Sequence, residues 1–199
     1  MKRSAEQKAR MNVNKVLCEP IVSDLMDSLK KHDKVTFCHC CDVAFMATQI
    51  AVLENLDKKM VRVVTMGALL HDIGKLKVSE ELLNRVGFVS ERDFNEIKRH
   101  PSYGYEMVKD LPLPLEVKNI IKHHHEKLDG TGYPDGLTEK DIPFYVRCVS
   151  VCDAYDAMIS KRPYKEGYDK QCAMAELGYC VDTDYDERVI KLLENVACR

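Results

Sequence analysis

Apolar residues recur along this 199-residue chain at intervals of three and four, the spacing that lines one face of a helix. Val13, Val16 and Leu17 form a first short stripe. Pro20 has no amide hydrogen, so it ends that segment and suits the first turn of the next. Ile21, Leu25 and Leu29 follow at every fourth position and predict a second helix with those three on its inner face. Longer helices are expected over 36–55, through Phe37, Val43, Ala47 and Ile50, and over 59–71, ending in Leu69-Leu70-His71. Pro101 places a helix start beside His100, and Pro112 and Pro114 break the chain before a helix over 115–125. Residues 129–136 are dense in glycine, aspartate and proline and read as a loop. After Pro143 a strongly apolar helix is expected to run to about Ile159, followed by a shorter helical tail. Two-residue alternation is nearly absent, and there is no repeat, low-complexity tract or linker, so the class is all-α.

Length and composition narrow the picture. The chain suits one compact domain. Its 45% hydrophobic and 31% charged residues make an ordinary soluble balance. A net charge of −2 gives no field that would gather a nucleic acid polymer, so attraction for an anionic substrate must be local. No apolar run is expected to reach the length of a membrane span, and Met1-Lys2-Arg3 leads into polar residues rather than a signal-peptide core. The nine cysteines are an odd number, and Cys148 and Cys152 lie in apolar stretches where a thiol acts as a small hydrophobe. A reducing, cytoplasmic location is the expectation. The run Cys38-His39-Cys40-Cys41 invites a zinc reading, but no second ligand pair with finger-like spacing accompanies it.

Chemistry concentrates in histidines and two acids. In His71-Asp72-Ile73-Gly74-Lys75 an imidazole and a carboxylate stand side by side where both can reach one metal. Lys75 shares the face of His71 if the helix continues; the plainer reading is a helix end with Gly74 as its stop. Asp153 falls inside the apolar helix after Pro143, where an ionised carboxylate is costly unless it is metal-bound or paired, for instance with Arg147. His39, His71, His100, His123, His124 and His125 are six of the seven histidines, and imidazole with carboxylate suits iron, manganese or zinc. Taken singly, each fits a surface or core role better than ligation; their number, and the company of Asp72 and Asp153, shifts the balance. His32 has charged neighbours and is expected to be solvated.

From about Thr36 onward these groups resemble the HD-GYP family, a branch of the HD metal-dependent phosphohydrolases. The motifs that carry the resemblance, in order, are His39 with Val43, His71 to Lys75, His100-Pro101 with Gly104, and His124-His125-Glu126. Asp129 to Pro134 with Gly136-Leu137, Ile142-Pro143, Asp153 to Met158, and Arg162 to Lys165 complete the series. The resemblance implies an HD-domain helical bundle over 31–199, preceded by a helical extension over 1–30. It implies two divalent metal ions, with iron or manganese as the first candidates. His39, His71, Asp72 and Asp153 would hold one, and Asp72 would bridge to a second on His100, His124 and His125. Some members add a third ion through a Glu four residues before the first histidine; that position is Val35 here, so two are expected. His123 is left unassigned.

The implied reaction is hydrolysis of a cyclic dinucleotide, first among them cyclic di-GMP, to linear dinucleotide and then mononucleotide. The two ions would activate a shared water and neutralise charge on the phosphoryl oxygens. Lys75 would stabilise that charge or protonate the leaving group, Arg162 and Lys165 would bind substrate phosphate, and Tyr133 would contact substrate. The loop carrying Tyr133 is also linked in the family to a protein partner. Two other readings share these residues. Another HD-type nucleotide phosphohydrolase or a di-iron oxygenase has the same ligands, but the loop at Tyr133 and the 162–165 segment argue against it. A non-catalytic signalling adaptor would be expected to have lost ligands, and only the optional Glu is missing.

Overall fold

The computed structural model describes residues 3–160 and 167–197, and among these all regular structure is helical, as the periodicity predicts. The helices are α1 (Ala5–Leu17), α2 (Pro20–His32), α3 (Lys34–Leu53) and α4 (Lys58–Leu70), then a 310 turn at Ile73–Lys77. Next come α5 (Glu80–Leu83), α6 (Glu91–Ile97), α7 (His100–Val108) and α8 (Leu115–His123), and finally α9 (Phe144–Ile159), α10 (Lys170–Tyr179) and α11 (Glu187–Ala197). The short α5 and α6 have too little apolar periodicity to be read from the sequence; α6 buries no residue at all.

Local chemistry sets the helix starts. Ser4 and Gln7 exchange side chain-to-backbone hydrogen bonds across the first turn of α1, satisfying two amides that a helix start leaves without partners. Asp33 accepts from the amides of Val35 and Thr36 at the head of α3, and Asp57 from that of Met60 at the head of α4. Pro20 begins α2 as expected. The buried stripe of α2, however, is Val22, Met26 and Leu29, with Ile21 and Leu25 only half-buried beside it. Neighbouring helices fix the rotation of α2 about its axis, and a spacing rule alone leaves it free.

α3 is the hub. It packs against α1, α2, α4, α9 and α11, and its Cys40, Val43, Ala44, Ala47, Ile50 and Ala51 are all buried. At 20 residues it is long and apolar enough to cross a membrane, which corrects the expectation that no run reaches that length. Its apolar residues instead form the centre of the core, 61% of the span being buried.

Two close approaches fix where the catalytic-looking residues meet. A side chain at Gly74 would place its Cβ 1.9 Å from the His100 carbonyl oxygen and 2.4 Å from the Gly104 amide. Gly74 therefore lets the 310 turn touch the start of α7, a stronger requirement than ending a helix. His32 is half-buried rather than fully solvated: its Nε2 lies 2.9 Å from the Val78 carbonyl, joining the end of α2 to the segment after the turn.

Candidate metal centre

The sequence-predicted residues come from five places and converge. His39 lies in the middle of α3, and His71 and Asp72 follow the last turn of α4. His100 opens α7, His124 and His125 follow α8, and Asp153 lies within α9. His39, His71, Asp72, His100, His124 and Asp153 are buried. Lys75 does not extend the α4 face, because the helix stops at Leu70 and gives way to the 310 turn. Lys75 Nζ donates instead to Asp72 Oδ2 at 2.5 Å.

Three of the imidazoles are held by one device. His71 Nδ1 donates to the Ala68 carbonyl at 2.7 Å, His100 Nδ1 to that of Ile97 at 2.8 Å, and His124 Nδ1 to that of Ile121 at 3.0 Å. Each carbonyl lies three residues earlier, in the final turn of a helix, where carbonyls lack an intrahelical partner. A carbonyl only accepts, so Nδ1 carries the hydrogen, and in its neutral form each ring turns the lone pair of Nε2 toward the centre. The Nε2 atoms of His100 and His124 then face one another at 3.1 Å. His71 Nε2 is fully buried, without a hydrogen-bond partner. Facing lone pairs repel, and a cation between them reverses the sign. Helix carbonyl ends add negative potential at the same place.

The acids complete two groups. The ligand atoms of His39, His71 and Asp153 all lie within 4.8 Å of one another, and so do those of His100, His124 and His125. Asp72 stands between the groups, with Oδ1 3.1 Å from His100 Nε2 and Oδ2 3.6 Å from His71 Nε2 and 3.8 Å from His39 Nε2. This donor set of imidazoles and carboxylates fits divalent cations of intermediate hardness. Arg147 is not the partner of Asp153; it pairs with Asp186 at 3.0 Å and Glu139 at 3.3 Å.

Charge states follow from burial and neighbours. Burial works against the charged form of both acids. Lys75 and the nearby histidines nevertheless hold Asp72 well below the usual carboxylate range, as the His39 and His71 contacts do Asp153. For His39, burial favours the neutral ring, but hydrogen bonds to Asp153 (2.9 Å) and Asp156 (2.6 Å) outweigh it and raise its pKa to about 9. Burial pushes His124 far down, and His125 down to about 3.

Three buried residues have roles that their motifs did not assign. Asp156 accepts from His39 Nδ1; its position three residues after Asp153, on one helix face, was the available signal. Glu126 accepts from the amides of Asp135 (2.7 Å) and Leu137 (2.9 Å), anchoring the 129–136 loop immediately after His125. Cys40 faces His71 and Asp72, and burial pushes its thiol upward, toward the protonated form. Cys38 is exposed and Cys41 half-buried, so the run around His39 presents no shared cysteine site.

At the rim, the Tyr133 ring stacks on His125 with centroids 4.9 Å apart. His123 points elsewhere, to Asp135 Oδ2 at 3.0 Å. Arg162 and Lys165 lie outside the described residues.

The HD domain family profile matches residues 16–189, and the chain belongs to that family. The HD-GYP resemblance read from its motifs is borne out. A cyclic di-GMP phosphodiesterase of Pseudomonas aeruginosa is 39% identical over 142 residues, 71% of this chain and 34% of the relative. A cyclic di-GMP phosphodiesterase response regulator of Xanthomonas campestris is 35% identical over 178 residues, 87% of this chain and 47% of the relative. The chain thus spans between a third and a half of the length of these curated relatives. Among solved structures, an HDG"Y"P protein from Bdellovibrio bacteriovorus superposes with a TM-score of 0.69 at 24% identity. That match covers 98% of this chain and 71% of the other, and it shows the shared fold.

Proposed function

We propose that this chain is a metal-dependent phosphodiesterase that hydrolyses a cyclic dinucleotide, cyclic di-GMP first among them. The observation that carries the reading is the facing pair of His100 and His124 Nε2 atoms at 3.1 Å, beside the unpartnered His71 Nε2, with Asp72 between two ligand groups. His39, His71 and Asp153 would hold one divalent ion, His100, His124 and His125 a second, and Asp72 would be shared. Iron or manganese suits such donors. When bound, a pair of such ions makes water a competent nucleophile near neutral pH and neutralises charge on the phosphoryl group. The chain's own residues position and balance charge. Asp72 and Asp153 stay ionised, and Lys75 offers a cation to the phosphoryl oxygens or a proton to the leaving oxygen. Tyr133, stacked on His125, bounds the site on the substrate side. Arg162 and Lys165 are assigned to substrate phosphate through the family resemblance. Both relatives described above are named for cyclic di-GMP, which supports that substrate.

The test is elemental analysis of anaerobically purified protein, followed by chromatography of the products from a panel of cyclic dinucleotides. About two iron or manganese ions per chain are expected, with linear dinucleotide appearing before mononucleotide. Metal-loaded protein that leaves every cyclic dinucleotide intact would remove the proposal.

A further inference from the structure

A cyclic dinucleotide brings two phosphates and two nucleobases, and a centre built around one phosphodiester leaves the remainder to be held elsewhere. α6 lies along the rim and buries none of its residues, its tie to the centre being the Ile97 carbonyl that holds His100. Yet it carries Phe94, an aromatic ring 51% exposed. One turn later Lys98 places its Nζ 5.0 Å from the centre of the Phe94 ring and 5.2 Å from that of Tyr133. Tyr133 in turn stacks on His125 at 4.9 Å. Phe94, Lys98, Tyr133 and His125 thus form a path of roughly equal steps leading outward from the ligand cluster.

Two of the carboxylates on α6 are already matched. Asp93 pairs with Arg85 at 2.5 Å, and Glu96 pairs with Arg99 at 3.2 Å and accepts from Tyr103 at 2.8 Å. Among the described residues no carboxylate pairs with Lys98; its neighbours are two ring faces. An unpaired ammonium beside an exposed aromatic ring matches a phosphate linked to a nucleobase, because an ammonium binds phosphate as a point charge and any base can stack on a ring. With a net charge of −2 the molecule has no overall field to draw in a dianionic substrate, so a further local cation at the rim adds to the attraction.

We infer that Phe94 and Lys98 form a second substrate subsite: Lys98 pairs with the phosphate that is not being cleaved, and Phe94 stacks on an adjoining nucleobase. The inference rests on the cyclic dinucleotide reading above and adds to it the residues that distinguish this substrate from a simple phosphodiester. Neither residue touches the ligand groups of the metal centre, so their contribution belongs to substrate affinity rather than to the cleavage step.

The test compares Phe94→Ala, Phe94→Trp and Lys98→Met with the unaltered, metal-loaded chain. Two substrates are used: cyclic di-GMP, and bis(p-nitrophenyl) phosphate, which offers neither a second phosphate nor a nucleobase. Expected is a KM for cyclic di-GMP raised about tenfold in Phe94→Ala and Lys98→Met. kcat should change far less, and the loss of kcat/KM should be about tenfold greater than for the small diester. Phe94→Trp should restore the KM, because a larger ring stacks at least as well. An unchanged KM in Phe94→Ala overturns the subsite, as do equal losses on both substrates, which would place the effect in the metal centre. Failure of the unaltered chain to cleave any cyclic dinucleotide is a separate result: it removes the function proposed above, and the subsite with it.

Discussion

His39 Nδ1 donates to Asp156 Oδ2 at 2.6 Å, while its Nε2 lies 2.9 Å from Asp153 Oδ1. The ring of α3 is thereby clamped between two carboxylates of α9, one of which offers itself as a ligand and one of which sets the ring's orientation. Ser160 donates to the same Asp156 oxygen at 3.0 Å, fixing the clamp in turn. A carboxylate on the far nitrogen both aims a histidine and strengthens it as a donor. Asp156→Asn is therefore expected to weaken metal binding by about 10- to 100-fold, measured by calorimetric titration with manganese. Affinity equal to that of the unaltered chain would show the contact to be incidental.

Asp72 has a different place, between the two ligand groups. Asp72→Ala is expected to abolish both metal occupancy and turnover, since it removes the group the two share and leaves Lys75 without its partner. Elemental analysis and hydrolysis of bis(p-nitrophenyl) phosphate read the two effects separately. Full activity in this variant would exclude the arrangement proposed for the centre.

Metal affinity should rise with pH. His39 must shed a proton before its Nε2 can bind a cation, and Asp153 and Asp156, against the opposing effect of burial, raise its pKa to about 9. His124 and His125 are already neutral near pH 7, because burial holds both down. The His39 proton therefore competes with the metal, and its release should raise affinity by about tenfold per pH unit up to about pH 9, where the gain levels off. In the metal-free chain the same raised pKa adds stability that is full below the usual 6.5 and lost as pH climbs through about 9. Manganese titrations at a series of pH values check the first trend, and thermal denaturation with chelator the second. A flat affinity profile between neutrality and pH 9 contradicts the assignment of His39 as the competing group.

Gly74→Ala is expected to destabilise the fold by about 1–3 kcal/mol or more. The new Cβ would fall 1.9 Å from the His100 carbonyl oxygen, and backbone on both sides leaves no flexible side chain to give way. His100 should be displaced with it, so metal content should fall alongside the denaturation midpoint. A variant of unchanged midpoint would mean that the turn and α7 can separate at little cost.

Local pattern was enough for the helical class, the extents of the longer helices α3, α4, α8 and α9, and the identity of the converging residues. Helical spacing, proline positions and capping side chains are local properties, and a carboxylate such as Asp153 within an apolar run declares an unusual need wherever it occurs. Local pattern did not determine which face of α2 turns inward, that Lys75 leaves the α4 axis, or that Asp153 looks past Arg147 to three histidines. Nor did it reveal that the final carbonyls of three helix ends would orient His71, His100 and His124. Those outcomes depend on the packing of α3, α4, α7, α8 and α9 against one another. Packing energy is shared among distant parts of the chain, so only the assembled structure could decide them.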